Sequence, residues 1–304
     1  MEITRELLTP LEKSGLEAEA IGKPRTTYWQ DVRRNFRKNK LAMVGLVVII
    51  LLVIMAAIGP YLSGHTYDEQ NYKMVNQPPN SQYWFGTDSL GRDLFTRVWY
   101  GARISLEVGI ITAILVFIIG VLYGGISGYF GGIVDEIMMR IVEILSSIPF
   151  LLWVILLMVI MEPGLKTIFI ALGAVYWLNM ARLVRGQVLA LKEQEYVLAA
   201  KVLGASPLRI LVRHIIPNTM GPIIVAMTLM IPEAIFTEAW LSFLGLGVSA
   251  PMASWGSLAS DGVQAITAYP WQLFFPAFFI SITMLAFNFV GDGLRDALDP
   301  RARR

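Results

Sequence analysis

The sequence predicts an all-α, polytopic membrane protein with about six transmembrane helices, and three observations carry that prediction. Of its 304 residues, 55% are hydrophobic and only 16% are charged, where soluble domains carry about 25% charged residues. Apolar stretches long enough to cross a bilayer, about 20 residues each, recur from Leu41 onward. The basic residues gather between alternate stretches instead of spreading evenly.

Residues 1–40 read as a cytoplasmic N-terminal lead. The first apolar run begins at Leu41, too late to be the hydrophobic region of a secretory signal. Glu6, Glu12, Glu17 and Glu19 make the start mildly acidic, as in a flexible lead, and Arg33, Arg34, Arg37, Lys38 and Lys40 form a membrane-proximal anchor. Residues 41–62 form the first span and residues 108–130 the second. Within the second, Gly120, Gly124 and Gly128 recur at the four-residue spacing that lets another helix backbone come close. The run Ser-Gly-Tyr-Phe-Gly-Gly at 127–132 reads as the turn that follows.

The third span is expected at 144–161, kinked at Pro149 where neighbours satisfy the freed carbonyl. Residues 167–181 form a short fourth span that needs Leu165 or the Arg182 end to reach the headgroups. A fifth begins at 215–232 and continues past Glu233 toward Trp240, and the sixth lies near 270–290. Residues 241–262 are apolar but rich in Gly, Ser and Pro. They predict a re-entrant or surface-lying loop in place of a regular lipid-facing helix.

Six spans put both termini on one side. Twenty of the 25 Lys and Arg residues then share that side, against Lys73, Arg92, Arg97, Arg103 and Lys166 on the other. The positive-inside rule makes the first side cytoplasmic. The organisation is a lead (1–40), a transmembrane domain (41–294) with a cytoplasmic loop at 189–217, and a cytoplasmic tail (295–304).

That loop carries charge and punctuation unlike its surroundings. A first helix from about Leu189 to Leu203 presents Tyr196, Ala199, Ala200 and Leu203 on one face. Gly204 ends it, Ser206 is a good N-cap and Pro207 a good first residue for the next helix. The second helix presents Leu208, Leu211, Val212, Ile215 and Ile216 on one face and Arg209 and Arg213 on another, and Pro217 marks the bend into the fifth span. Two readings stand: a knob that transmits force from a soluble partner into the spans, or an amphipathic loop lying on the headgroups. A DNA-reading helix-turn-helix is disfavoured because spans pin the unit on both sides, so no nucleic acid is expected.

Other chemistry is excluded by residue type. The only Gly-Lys pair, Gly22-Lys23, is followed by Pro24, so there is no phosphate-binding P-loop. No His-Glu-x-x-His motif exists, and two histidines without cysteine give no metal site and no disulfide. The chain is not expected to be an enzyme or to hold a cofactor. Glu107, Glu233 and Glu238 lie in or near spans, where carboxylates face water or a bundle interior. Glu233 and Glu238 are candidate contacts along a translocation path, and Glu107 reads as a helix-end carboxylate. Gly91, Arg92 and Asp93 form a compact charged turn held by Arg–carboxylate pairing. Trp240, Trp255 and Trp271 read as an interfacial aromatic belt, and Met138, Met139, Met158 and Met161 as packing or lipid-facing residues.

The loop resembles the cytoplasmic motif of importer permeases of the ATP-binding-cassette class. Leu198, Ala199 and Ala200 stand at its Glu-Ala-Ala positions, then Gly204, then His214-Ile215-Ile216-Pro217. Leu198 replaces the motif's Glu and His214 its Ile. Trp84 to Leu106, Ala234 to Gly256 and Asn288 to Arg301 are similar to segments of the C-type permease subunits of oligopeptide and dipeptide importers. The resemblance covers about Arg33 to Arg304. It implies a type I importer permease architecture working by alternating access in the cell membrane. It also implies a second, related permease subunit, two cytoplasmic ATPases that bind ATP and Mg, an external binding protein and a peptide cargo. A coupling helix at Gly204, Ala205, Ser206, Pro207, Leu208 and Arg209 would dock on an ATPase. Nickel or another small solute is the alternative cargo. A stand-alone secondary transporter is the rival class, but this sequence shows no internal repeat of the kind such folds carry.

Overall fold

The computed structural model describes residues 27–162, 164–248 and 250–299. The first helix, α1 (Tyr28–Lys38), is followed by α2 (Lys40–Ile58), which starts where the Asn39 side chain accepts the Ala42 N–H at 3.1 Å. Pro60 tightens the end of α2 into a 3₁₀ turn, Gly59–Tyr61. A loop of about 30 residues leads to α3 (Leu94–Phe130). After it come α4 (Gly132–Ser146), α5 (Phe150–Met161), α6 (Leu165–Leu191), α7 (Glu195–Val202) and α8 (Pro207–Ile210). A π-helical turn, Leu211–Ile215, joins α8 to α9 (Ile216–Phe243), and α10 (Trp255–Ala265) and α11 (Trp271–Leu298) complete the chain. Among the described residues the only bridge pairing is Thr87 with Asp93.

Five segments are long and apolar enough to cross a membrane: Lys40–Tyr61, Leu94–Phe130, Leu165–Leu191, Pro207–Phe243 and Trp271–Leu298. A sixth is broken into α4 and α5, which meet at 81° across Ser147, Ile148 and Pro149. The all-α, multi-span expectation therefore holds, while the third span is corrected from one kinked helix at 144–161 to this bent pair. Pro149 is the N-cap of α5, where a missing N–H costs nothing, so a new helix starts there at a sharp angle to α4.

The other differences share one cause: charges inside the helices are satisfied sideways instead of ending them. Helix α3 starts 14 residues before the expected 108, because Asp93 caps it by accepting the Phe95 and Thr96 N–H groups. Arg103 inside it donates to the Ala57 and Ala56 carbonyls, closing the C-terminal end of α2. Glu107 is consequently not a helix-end residue but an exposed one inside α3. Helix α6 runs ten residues beyond Ala181. Arg182 donates to Ser146 and Asn179, and Arg185 makes a bidentate pair with Asp135 of α4. The reversal after α3 needs only Gly131 and Gly132, since residues 127–130 are helical.

Helices α3, α6 and α9 form the centre. The glycine seam does what its spacing predicts: a Cβ at Gly124 would stand 2.3 Å from the Ala181 carbonyl oxygen, and Gly120 and Gly128 press on Met180 and Arg185 of the same helix. Helix α11 packs on α9 and on α2, where Gly45 abuts Ala286 and Gly293 abuts Ala42. Val32 of α1 joins Val225, Ala297 and Leu298 in a small cluster at one end of the bundle.

The segment 241–262 is corrected in part. Its second half is a regular helix, α10, wedged against α9 and α11. Trp255, expected in an interfacial belt, has 0% exposure and donates its indole N–H to the Val98 carbonyl at 2.9 Å. Trp240 is exposed, as a belt residue would be.

Candidate functional site: a knob at one end and a clasp at the other

The segment 195–217 stands at the end of the bundle that also carries α1 and the end of α11. Helix α6 ends at Leu191 and a turn separates it from α7, so the first helix begins at Glu195, not near Leu189. At its far end the Gly204 N–H donates to the Lys201 carbonyl and the Ala205 N–H to the Ala200 carbonyl, both at 3.0 Å. This is the double closure that satisfies the last carbonyls of a helix, and it requires a left-handed residue. Gly204 supplies it, with φ +78°. Ser206 then caps α8 by accepting the Arg209 N–H at 3.4 Å, and Pro207 is the first helical residue.

The buried faces differ from those the spacing suggested. Val197, Ile210, Leu211 and Ile215 are the buried anchors, packed with Val188 and Ile223, while Ala200 and Ala205 are partly covered. Tyr196, Leu203, Leu208 and Val212 point outward. The π turn is the reason on the second helix. A wider turn shifts the register between Ile210 and Ile215, so the pattern for an ideal 3.6-residue helix misassigns the faces. The outcome is a knob whose tip is apolar and uncovered: Val202 is 87% exposed, Leu203 86% and Leu208 71%. Leu198, Ala199, Arg209 and Arg213 are exposed beside it. Pro217, also exposed, sits in the first turn of α9 and lines a cleft of about 970 Å³ with Trp29, Leu183, Met220 and Arg295. Helix α8, the π turn and α9 form one 37-residue segment, so the knob is continuous with a span.

A smaller cleft of about 230 Å³ shares Leu183, Ala226 and Leu229 with the first and ends at Glu233. Glu233 is exposed, and the Tyr176 hydroxyl near it is hydrogen-bonded to Thr237 at 2.7 Å. Glu238 is placed differently. It has 0% exposure and accepts from Ser254 at 2.6 Å, Ser242 at 2.8 Å and Ser105 at 3.5 Å. The two carboxylates paired by sequence reasoning therefore occupy separate environments.

At the same far end, the loop before α3 is held by charge. Arg92 donates to Asp88 at 2.7 Å, and Arg97 lies 3.4 Å from the same carboxylate oxygen. The partner of Arg92 is thus Asp88, and Asp93 is free to cap α3. Gln272 of α11 donates to Asn76 and to the Thr87 carbonyl, tying that loop to the last span. Sequence reasoning missed the serine cluster because Ser105 and Ser254 lie far from Glu238 in the chain. It passed over Asp88 for the adjacent Asp93, although Asp88 stands four residues before Arg92, and the Ser254–Ser257 spacing of a capping box was the other local signal.

Comparisons with known proteins agree with this architecture. Residues 120–304 match the family described as the binding-protein-dependent transport system inner membrane component, and residues 27–79 match the N-terminal transmembrane domain of oligopeptide transport permease C. The oligopeptide transport system permease protein OppC of Bacillus subtilis (strain 168) is 56% identical over 99% of this chain and 99% of its own length. The dipeptide transport system permease protein DppC of the same organism is 57% identical over 96% of this chain and 92% of its own. OppC of Escherichia coli (strain K12) is 46% identical over the full length of both. Among solved structures, a chain of the MetNI methionine ABC transporter in an inward-facing conformation superposes with a TM-score of 0.53. It is 19% identical and covers 67% of this chain and 96% of that one.

Proposed function

This chain belongs to the family of binding-protein-dependent transport system inner membrane components, and from that premise we propose that it is one of two membrane subunits of an ATP-driven peptide importer. The observation that carries the reading is the knob. Its tip exposes Val202, Leu203 and Leu208 to no partner in this chain, while its base is continuous with α9. Uncovered apolar residues on a rigid protrusion at the end of a span suit docking into a groove of a soluble protein.

The mechanism follows from the continuity. Two cytoplasmic ATPases bind ATP and Mg and close on one another. The knob at 198–209 moves with them, α9 and α6 act as levers, and the cavity switches sides. Loaded binding protein and ATP must each favour one state over the other, since a ligand shifts an equilibrium only by its differential affinity. The second permease subunit is a related chain, and the delivered cargo is an oligopeptide or dipeptide, as in the printed names of the relatives. Both termini and the knob are cytoplasmic, in keeping with the basic residues gathered there. Glu233, at the end of a cleft rising from the knob end, is the carboxylate that meets a passing peptide. Hydrolysis belongs to the ATPases, not to this chain.

The test uses the absence of native cysteine. A cysteine at Ala205 and another in the groove of the partner ATPase should form a disulfide in membranes whose yield changes with ATP. No crosslink from any position between Ala199 and Arg209, with the ATPase present and the chain folded, sinks the proposal.

A further inference from the structure

Glu238 is the strongest group that the transport reading leaves unused. A fully buried carboxylate inside an apolar span is costly and needs donors to compensate. Here three hydroxyls supply them. Ser242 lies one turn further along α9. Ser105 belongs to α3, and its oxygen accepts the Trp255 N–H at 3.1 Å, leaving its own proton for Glu238. Ser254 is the N-cap of α10. Its oxygen accepts the Ser257 N–H at 3.1 Å, so its proton points to Glu238. Glu238 is thereby linked, through two serines, to the backbone N–H groups that open α10.

The surrounding backbone is pressed close. A Cβ at Gly256 would stand 2.3 Å from the Ala239 Cα, and one at Gly101 3.1 Å from the Ser254 carbonyl carbon. The start of α10 is therefore wedged between α3 and α9, and the carboxylate joins all three.

We infer that Glu238 is a positioning residue that clasps α10 to α9, so that the far end of the bundle follows the movement of the knob. Helix α9 begins at the knob and reaches Glu238 without a break. Helix α10 in turn packs on α11, whose Gln272 holds the loop before α3. A pull on the knob reaches the far end of the bundle through this clasp. The inference rests on the importer reading above.

Two single-hydroxyl deletions separate a clasp from a merely structural carboxylate. Ser254→Gly removes the direct hydrogen bond between α9 and α10, and glycine remains an acceptable N-cap. Ser242→Ala removes a similar hydrogen bond from the same carboxylate oxygen but within α9. The importer, reconstituted in liposomes with its partner subunits and binding protein, is assayed for ATPase activity with and without binding protein loaded with tri-alanine. Ser254→Gly should cut the stimulated-to-basal ratio about tenfold, the scale of one buried hydrogen bond, with basal hydrolysis kept. Ser242→Ala should leave the ratio within about twofold.

If Ser254→Gly does not assemble, Glu238→Gln, which keeps one acceptor oxygen, is compared with Glu238→Leu. The clasp predicts stimulation in the first and its loss in the second. Equal ratios in the two serine variants, or in the two Glu238 variants, overturn the inference. A wild-type complex that brings down no ATPase, or shows no stimulation, overturns the importer reading instead.

Discussion

Gly124 leaves no room for a side chain, and that sets its consequence. Its absent Cβ would fall on the Ala181 carbonyl, a backbone atom that cannot swing aside. Gly124→Val should destabilise the chain by about 1–3 kcal/mol, the usual cost of overpacking, read as a drop of several degrees in the unfolding temperature in detergent. Gly173, with only Leu115 side-chain atoms at 3.6 Å and beyond, is the control, and its alanine variant should be near neutral. The seam was legible beforehand because Gly120, Gly124 and Gly128 state their purpose by spacing alone. Glu238 was not. Its partners come from positions 105, 242 and 254, and nothing local distinguishes a carboxylate bound for a serine cluster from one bound for a water-lined path.

At the scale of elements, the π turn at Leu211–Ile215 decides which way the knob faces. Each residue of an α-helix advances the chain by about 100°. Inserting one alanine after Val212, an exposed residue within the turn, adds a residue that the already widened turn has no room to absorb and rotates α8 by about that angle relative to α9. The expected result is loss of the ATP-dependent Ala205 crosslink and of uptake, with the chain still inserted and folded. An undiminished crosslink contradicts it. The ends of the knob's helices were readable from Gly204, Ser206 and Pro207, each acting through its own backbone chemistry. The facing of the second helix was not, because a π turn has no sequence signature, and the pattern was read with the wrong period. The same limit applied to α3 and α6. Arg97, Arg103, Arg182 and Arg185 fell outside the expected charge-free spans, and only their lateral partners show how the helices carry them.

For the whole molecule, the count and order of spans followed from hydropathy, since a bilayer leaves a spanning chain few choices. Sidedness is open to direct test. With no native cysteine to interfere, a cysteine at Leu203 should react with an impermeant maleimide only from the cytoplasmic side, and one at Tyr72 only from outside. Both positions are exposed in the chain. Labelling of both from one side would reverse or break the proposed topology.

The pairing of α2 with α11 carries a consequence for biosynthesis. Gly45 meets Ala286 and Ala42 meets Gly293, so α2 rests on a surface that the ribosome makes well after it. At about 5–20 residues per second, α2 must wait in the lipid for tens of seconds with its partner unmade. Until α11 is made, the small-residue face of α2 at Ala42 and Gly45 lacks its partner. A chain cut short before α11 never covers that face, which makes the unmatched α2 surface a ready mark of incompleteness for membrane quality control.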